Sequence, residues 1–264
     1  MRRTLVIGDV HGCRDELCAL LDRAAYRPGD DRLVLLGDLL DRGPDPVGCV
    51  RLARELGAEC VLGNHEEKHL RWRRHEERAR REPGYRNPMP ALGAVRAAEN
   101  AALTDDDITW LRSLPVCLDL GDDWVAVHAG FEPGRTLGQQ RPDRVLRVRW
   151  VDERGEAVPL DRGSLEPPPG ARQWSAIWRG PVSVVYGHAV HSHAEPRVDR
   201  ADGGVECWGI DTGCCFGGRL TALILPGCRV VQVPARRTYA SPPRSTASRA
   251  RAQASSAAAG AREA

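Results

Sequence analysis

The sequence predicts an α/β fold, classed as α+β in some schemes, on three observations. Apolar runs of strand length alternate with helical patterns in the first quarter of the chain, which is the order of a parallel βαβ beginning. Short apolar runs that favour strands dominate the second half. Each of the first three runs ends in glycine and then in polar residues, which places those side chains at the carboxyl edge of a sheet.

The first half of the chain alternates between the two patterns. Strands are predicted at Thr4–Ile7, Arg32–Leu36 and Glu59–Leu62. A stripe of apolar residues or a capping residue with acids behind it marks the helices, which are predicted at Cys13–Tyr26, Pro46–Leu56, Glu66–Glu82 and Thr104–Leu114. Because Glu66–Glu82 is rich in Arg and Glu, we expect it to be exposed, with His69 and His75 on the surface.

The second half is predicted to be mostly strands. These are Val116–Leu120, Trp124–His128, Val182–Tyr186, Val205–Ile210, Leu220–Leu225 and Arg229–Val233. The long segment Glu132–Gly180 shows no regular pattern, and loops of this length are often functional. We therefore expect it to shape substrate access. Trp150, Trp174 and Trp178 within it are candidates for stacking on a nucleobase, with a core position as the alternative for each.

Residues 1–234 are predicted to form one domain. The remaining residues, 235–264, are rich in Ala, Arg, Ser and Pro and show no periodicity. Such a composition buries too little apolar surface to offset the entropy of ordering. We expect a disordered tail.

Five short polar clusters carry the chemistry of this sequence. They are Gly8–Gly12, Gly37–Pro44, Gly63–Glu66, His128–Gly130 and Gly187–His188. Their Asp, His and Asn side chains are donors that suit divalent metals such as Mn, Fe or Zn. Two such metals about 3.5–4 Å apart can clamp a phosphoryl group during in-line attack. A single Gly-Asp after a strand is often only a turn, but turns do not explain all five clusters together.

The five clusters, in this order, resemble the calcineurin-like metallophosphoesterase superfamily, and within it the phosphoprotein phosphatase branch. The segment Ile210–Leu223 resembles the C-terminal motif of bacterial symmetrical diadenosine tetraphosphatase-like proteins, and also that of the phosphatase half of bacterial polynucleotide kinase-phosphatases. The resemblance runs from about Leu5 to Val233. It implies a four-layer αββα sandwich of two mixed sheets flanked by helices.

The resemblance also implies roles for individual residues. Metal ligands would be Asp9, His11, Asp38, Asn64, His128 and His188, with Asp38 bridging the two ions. His65 would be the general acid, oriented by Asp41. Arg42 would bind phosphate oxygens together with a second arginine, for which Arg149 is our choice and Arg147 the rival. The cofactors would be two divalent ions, manganese first, with iron, zinc or cobalt as alternatives.

Composition agrees with a cytoplasmic enzyme. The net charge of +2 is nearly balanced, which makes no case for a nucleic-acid-binding surface, so nucleic acid is expected only as a substrate end. No apolar run approaches the ~20 residues of a membrane helix. Nine cysteines without a C-x-x-C pair fit reduced thiols better than a disulfide framework.

We therefore predict a metal-dependent phosphohydrolase, similar to the symmetrical bis(5′-nucleosyl)-tetraphosphatases. The substrate would be a phosphorylated small molecule, a nucleotide or a phosphoprotein. A serine/threonine phosphoprotein phosphatase is the first alternative, followed by an endopolyphosphatase, an RNA-cap phosphatase or an RNA-end phosphatase. A metal-binding pseudophosphatase is the non-enzyme alternative. The intact set of metal-type residues argues against that last reading.

Overall fold

The computed structural model describes residues 2–159, 167–201 and 203–242. Its strands, in chain order, are β1 Thr4–Ile7, β2 Arg32–Leu35, β3 Glu59–Cys60, β4 Cys117–Gly121, β5 Trp124–Val127, β6 Trp150–Val151, β7 Arg172–Gln173, β8 Ser183–Tyr186, β9 Arg197–Arg200, β10 Glu206–Gly209, β11 Arg219–Leu225 and β12 Arg229–Pro234. The helices are α1 Arg14–Arg23, α2 Pro46–Glu55, α3 Asn64–Arg81, α4 Ala94–Ala102, α5 Asp105–Ser113, α6 Pro142–Val145 and α7 Trp174–Ile177.

Two mixed five-stranded sheets form the centre of the molecule. The first has the order β12-β11-β1-β2-β3, with β1, β2 and β3 parallel and β11 antiparallel to β1. The second has the order β4-β5-β8-β10-β9, with β5, β8 and β10 parallel. A separate two-stranded sheet joins β6 to β7. The two mixed sheets confirm the predicted fold class.

The sheets pack face to face, and strand alternation decides which side chains lie between them. In β1, Val6 lies in the core shared by both sheets, whereas Leu5 and Ile7 face the helices. In β8, Val185 lies in that shared core, and Tyr186 faces the other way. Side chains two apart share one face of a strand, so each central strand buries both of its faces.

The outer layers differ from each other. Helices α1, α2 and α5 contribute to the apolar core on the outer face of the first sheet. The second sheet is covered instead by the segment between β5 and β8, through Phe131, Trp174 and Trp178. In its described part, the segment predicted to be irregular carries the short elements β6, β7, α6 and α7. Trp174 and Trp178 are core residues, so neither is available to stack on a substrate.

The predicted strands and helices are present, with ends shifted by a few residues. Outside the Glu132–Gly180 segment, one strand and one helix were not predicted. The strand β9 lies at the edge of the second sheet, and α4 follows the Pro-rich turn behind α3. The surface position predicted for His69 is wrong, because its side chain is fully buried under α4. Among the described helices, none has the length and apolar character needed to cross a lipid bilayer.

Part of the predicted tail packs on the domain. The backbone N–H groups of Tyr239 and Ala240 both donate to the carbonyl of Cys215 at 3.0 Å. The hydroxyl of Tyr239 and the backbone N–H of Arg236 donate to the buried carboxylate of Glu16 at 2.7 and 2.9 Å. The domain therefore continues beyond the predicted boundary at residue 234, to at least residue 242. The predicted disorder of residues 243–264 concerns residues outside the described ranges.

Candidate active site

The ends of five parallel-running strands meet at one edge of the sandwich. Loops after β1, β2 and β3 come from the first sheet, and loops after β5 and β8 come from the second. Because both sheets present their carboxyl ends here, the five sequence clusters converge on one place. The polar side chains they bring together are Asp9, His11, Asp38, Asp41, Arg42, Asn64, His65, His128 and His188.

Two groups of ligand-type atoms share Asp38. One group is His11, Asp38 and His65, and the other is Asp38, His128 and His188; within each, the donor atoms lie within 4.8 Å of one another. His11 Nε2 lies 3.4 Å from one carboxylate oxygen of Asp38, and His128 Nε2 lies 3.5 Å from the other. One carboxylate thus faces a histidine on each side, as expected of a bridging ligand.

The histidines are held in the orientation that a metal ligand needs. His11 Nδ1 hydrogen-bonds the carbonyl of Leu40 at 2.8 Å, and His128 Nδ1 hydrogen-bonds the carbonyl of Leu36 at 2.7 Å. Each Nδ1 therefore donates to a carbonyl, and each Nε2 keeps its lone pair toward the site. Metal-bound histidines show this arrangement almost without exception. Asn64 Oδ1 lies 2.9 Å from His128 Nε2 and completes this side.

The electrostatics of the site also fit a bound cation. Burial, followed by repulsion from Asp211 and Asp38, raises the pKa of Asp9 well above the ordinary carboxyl value. Burial lowers the pKa of His11 and His188, which keeps both imidazoles neutral. Crowded buried carboxylates beside neutral imidazoles are the donor set of divalent transition metals, whose charge would offset the repulsion.

Several site residues adopt a left-handed backbone. His11 has φ of 45°, Asp38 of 50°, Asp41 of 67° and His188 of 65°. Residues other than glycine rarely occupy this region, and the strain persists only where surrounding contacts fix it. The turns orient these side chains toward the site, although the backbone conformation is strained. Such strained residues cluster at functional sites.

Glu66 fixes the loop that carries Asp38. One of its carboxylate oxygens accepts hydrogen bonds from the N–H of Asp38 and Gly63, and the other accepts from Leu39 and Leu40, at 2.8–3.1 Å. Glu66 is fully buried in the first turn of α3. This role of Glu66 was not predicted from the sequence. The available signal was a glutamate at the third helical position, which typically binds backbone N–H groups near the helix start.

His65 and Asp41 form the predicted pair. His65 Nδ1 hydrogen-bonds Asp41, and His65 Nε2 faces the metal-type cluster, 3.8 Å from Asp38. Arg96 of α4 donates two hydrogen bonds to Asp41, at 2.5 and 2.6 Å. Burial opposes the negative charge, yet the bonds from His65, His69 and Arg96 hold the pKa of Asp41 below its ordinary value.

A buried polar chain continues behind this pair. His69 Nε2 lies 3.4 Å from Asp41, and Asn100 Nδ2 donates to His69 Nδ1 at 3.0 Å. Arg73 in turn donates to Asn100, and Glu99 accepts from the N–H of Asp41 at 2.8 Å. Helices α3 and α4 thus support the pair from behind. None of these four supporting residues was predicted from the sequence to belong to the site.

The two rival arginines lie in different places. Arg149 is half-buried and donates to the carbonyl of His188 at 3.0 Å, so it borders the cluster. Arg147 is exposed and forms an ion pair with Glu67. Arg42 reaches toward His11 and lies 3.2 Å from His65 Nε2. The geometry brings Arg42 and Arg149 together at the site and leaves Arg147 outside it.

Known proteins are similar to this chain over most of its length. A family model described as calcineurin-like phosphoesterase matches residues 2–211. The asymmetrical bis(5′-nucleosyl)-tetraphosphatase PrpE of Halalkalibacterium halodurans is 30% identical over 249 residues, covering 89% of this chain and 95% of that relative. The symmetrical bis(5′-nucleosyl)-tetraphosphatase of Escherichia coli is 30% identical, covering 83% of this chain and 90% of that relative.

Solved structures give the same result. One that is provisionally assigned as a diadenosine tetraphosphatase superposes with a TM-score of 0.71 at 30% identity, covering 88% of this chain and 93% of that one. A cold-active protein-tyrosine phosphatase of Shewanella superposes with a TM-score of 0.51 at 17% identity, covering 89% of this chain and 81% of that one. The second likeness shows the fold alone.

Proposed function

We propose that this chain, which belongs to the calcineurin-like phosphoesterase family, hydrolyses dinucleoside tetraphosphates. As a member of that family it is a metal-dependent phosphohydrolase. The observation that carries the substrate proposal is the convergence of Arg42 and Arg149 on the cluster around Asp38, which suits a highly charged phosphate chain. The two relatives named as tetraphosphatases support it.

Two groups of residues would hold the metal ions. Asp9, His11 and Asp38 would bind the first, and the second would be bound by Asp38, Asn64, His128 and His188. Mixed oxygen and imidazole donors support a first-row divalent ion, and we propose manganese. When bound, such a pair of ions supplies Lewis-acid stabilisation of the phosphoryl group and lowers the pKa of the attacking water.

The arginines would bind the phosphoryl group that is attacked. Arg42 lies between His11 and His65, and Arg149 lies beside His188. The guanidinium group can donate two parallel hydrogen bonds to phosphate oxygens. Because negative charge builds up on those oxygens during the reaction, these donors stabilise the transition state more than the bound substrate.

His65 would protonate the leaving oxygen. Its Nδ1 hydrogen-bonds Asp41, which orients the ring. The other nitrogen, Nε2, faces the cluster beside Arg42, where a leaving oxygen would emerge. A positioned acid of this kind contributes typically about 10²–10⁴-fold to the rate.

Symmetrical and asymmetrical tetraphosphatases differ in which phosphoanhydride bond of the substrate is cleaved. We propose symmetrical cleavage, because the Ile210–Leu223 segment resembles the symmetrical group, although the relatives include both kinds. Purified protein with Mn²⁺ should be incubated with diadenosine tetraphosphate and the nucleotides separated by chromatography. ADP as the sole product supports the proposal. ATP together with AMP would contradict symmetrical cleavage, and hydrolysis of phosphopeptides alone would contradict the substrate class.

We also propose a cytoplasmic location. All nine cysteines are free thiols, and six of them are buried. Such usage is typical of reducing compartments, since secreted chains convert paired cysteines to disulfides.

A further inference from the structure

A pocket opens directly beside the candidate active site. It has a volume of about 200 Å³, and one water molecule needs only about 10–15 Å³, so an organic ring has room there. Arg42, Arg149 and His188 of the candidate active site line it. Other residues that line the pocket include Trp150, Gln173, Val190, His193, Phe216 and Pro242.

Two uncharged hydrogen-bond donors that line this pocket lack partners. Trp150 in β6 and Gln173 in β7 are directly opposite in the two-stranded sheet, so their side chains lie next to each other on one face. Gln173 is only 5% exposed. Within the described part of the chain, neither Trp150 Nε1 nor Gln173 Nε2 has a hydrogen-bond partner. Buried donors are rarely left unpaired, because the loss destabilises the fold. A ligand with acceptor atoms would satisfy both.

The pocket also offers flat aromatic surfaces. The ring of Phe216 lies beneath the guanidinium group of Arg42, 5.0 Å from the ring centroid to the guanidinium carbon. Trp150 contributes its indole to the same pocket. Aromatic faces and arginine planes are the surfaces on which nucleobases stack. A phosphorylated serine or threonine has no planar ring with acceptors at its edge, whereas a nucleobase has both features.

We propose that this pocket binds a nucleobase of the substrate, with its acceptor edge toward Trp150 and Gln173. The inference rests on the proposed function, because it gives a place to the nucleoside next to the phosphate chain. Arg42 and Arg149 border both the cluster and the pocket. A phosphate chain held by the two arginines would therefore lead from the reacting centre into the pocket.

The test measures inhibition of aryl phosphate hydrolysis, so it does not depend on dinucleotide turnover. Inhibition constants are compared for AMP, GMP and ribose 5-phosphate, which carries the same phosphate and sugar without a base. In the wild-type protein the nucleotides should inhibit more tightly than ribose 5-phosphate. Gln173→Leu and Trp150→Phe, which keeps an aromatic ring, should each reduce that preference by about two- to tenfold.

Trp72→Phe is the matched control, because this half-buried indole lies in α3 outside the pocket, and it should keep the wild-type preference. Equal inhibition by ribose 5-phosphate and both nucleotides in the wild-type protein would overturn the inference, even if tetraphosphate is hydrolysed. A base preference in a protein that does not hydrolyse diadenosine tetraphosphate would support the pocket and contradict the proposed function. If circular dichroism shows that one variant does not fold, the inhibition preference of the other variant still tests the proposal.

Discussion

The carboxylate of Glu66 accepts a hydrogen bond of 2.8 Å from the backbone N–H of Asp38. Three further backbone N–H groups donate to the same carboxylate. A buried glutamate in α3 thus holds the left-handed turn that presents the shared carboxylate of Asp38. The position of the proposed metal bridge depends on a residue that does not itself face the metals.

Replacing Glu66 should therefore destabilise the fold as well as the site. Glu66→Gln keeps one acceptor oxygen and leaves two buried N–H groups unpaired, which should lower the free energy of unfolding by about 2–5 kcal/mol. The matched control is Glu67→Gln, whose partly exposed pairs with Arg71 and Arg147 contribute less than about 1 kcal/mol. Denaturant unfolding measures both. Equal effects from the two variants would show that Glu66 is not the anchor of the turn.

Arg96 should act on the reaction through Asp41. Arg96→Ala removes a two-bond contact with Asp41, and losing such a supporting partner typically costs about 10–100-fold in activity. Arg96→Lys should recover part of the loss, since it restores the charge but not the paired geometry. The loss in kcat should be larger for an alkyl phosphate than for an aryl phosphate. Arg81→Ala, an exposed residue at the end of α3, is the control and should behave as wild type.

His65→Asn tests the general acid. The variant should bind the same number of metal ions and lose about 10²–10⁴-fold in kcat on substrates with poor leaving groups. An aryl phosphate leaves without much protonation, so the loss on it should be smaller. Steady-state kinetics on both substrate classes measures the difference. A loss of equal size on both would contradict the assigned role.

The C-terminal segment should divide into a required part and a dispensable part. Removing residues 235–264 takes away Tyr239 and Arg236, which leaves the buried carboxylate of Glu16 without two donors. This truncation should lower the free energy of unfolding by about 2–4 kcal/mol. Removing only residues 243–264 should leave thermal unfolding nearly unchanged. Identical melting curves for both truncations would mean that residues 235–242 do not stabilise the domain.

Most of the residues proposed for the site could be selected from the sequence because each follows a predicted strand. Asp9, Asp38 and Asn64 each follow an uninterrupted apolar run. The alternation of strand and helix patterns was therefore enough to predict that these residues share one edge of a sheet. The family resemblance then supplied the roles of individual residues. Arg149 was preferred to Arg147 on the resemblance alone. In the structure, Arg147 lies in the turn after α6 and pairs with Glu67, whereas Arg149 lies just before β6 and reaches the carbonyl of His188.

Helix α4 was missed for a physical reason. It buries its polar residues, Glu99 and Asn100, against α3, while Val95 is 82% exposed. Pattern analysis assumes that apolar residues face the core, and here the buried face is polar because it meets His69 and Asp41. For the same reason, His69, in a polar helix, was predicted to lie on the surface. Segments that support a charged site bury polar residues, so predictions that place apolar residues in the core fail for them.

Residues 235–242 were predicted to be disordered because amino-acid composition does not reveal the individual hydrogen bonds that hold them on the domain. Nothing in a stretch of Ala, Arg, Thr and Tyr indicates that Tyr239 will reach a glutamate more than two hundred positions earlier in the chain. The buried acid, Glu16, looked like an ordinary first-turn residue of α1. Its buried carboxylate accepts the two hydrogen bonds that hold the segment on the domain.

The central claim is a metal pair that shares Asp38, and metal content measures it most directly. Elemental analysis of the purified protein, after loading with Mn²⁺ and removal of free ion, should give two ions per chain. Asp38→Ala should bind neither ion tightly, because each group of ligands loses its common carboxylate. One ion or none in the wild-type protein, or two ions retained by Asp38→Ala, would contradict the account.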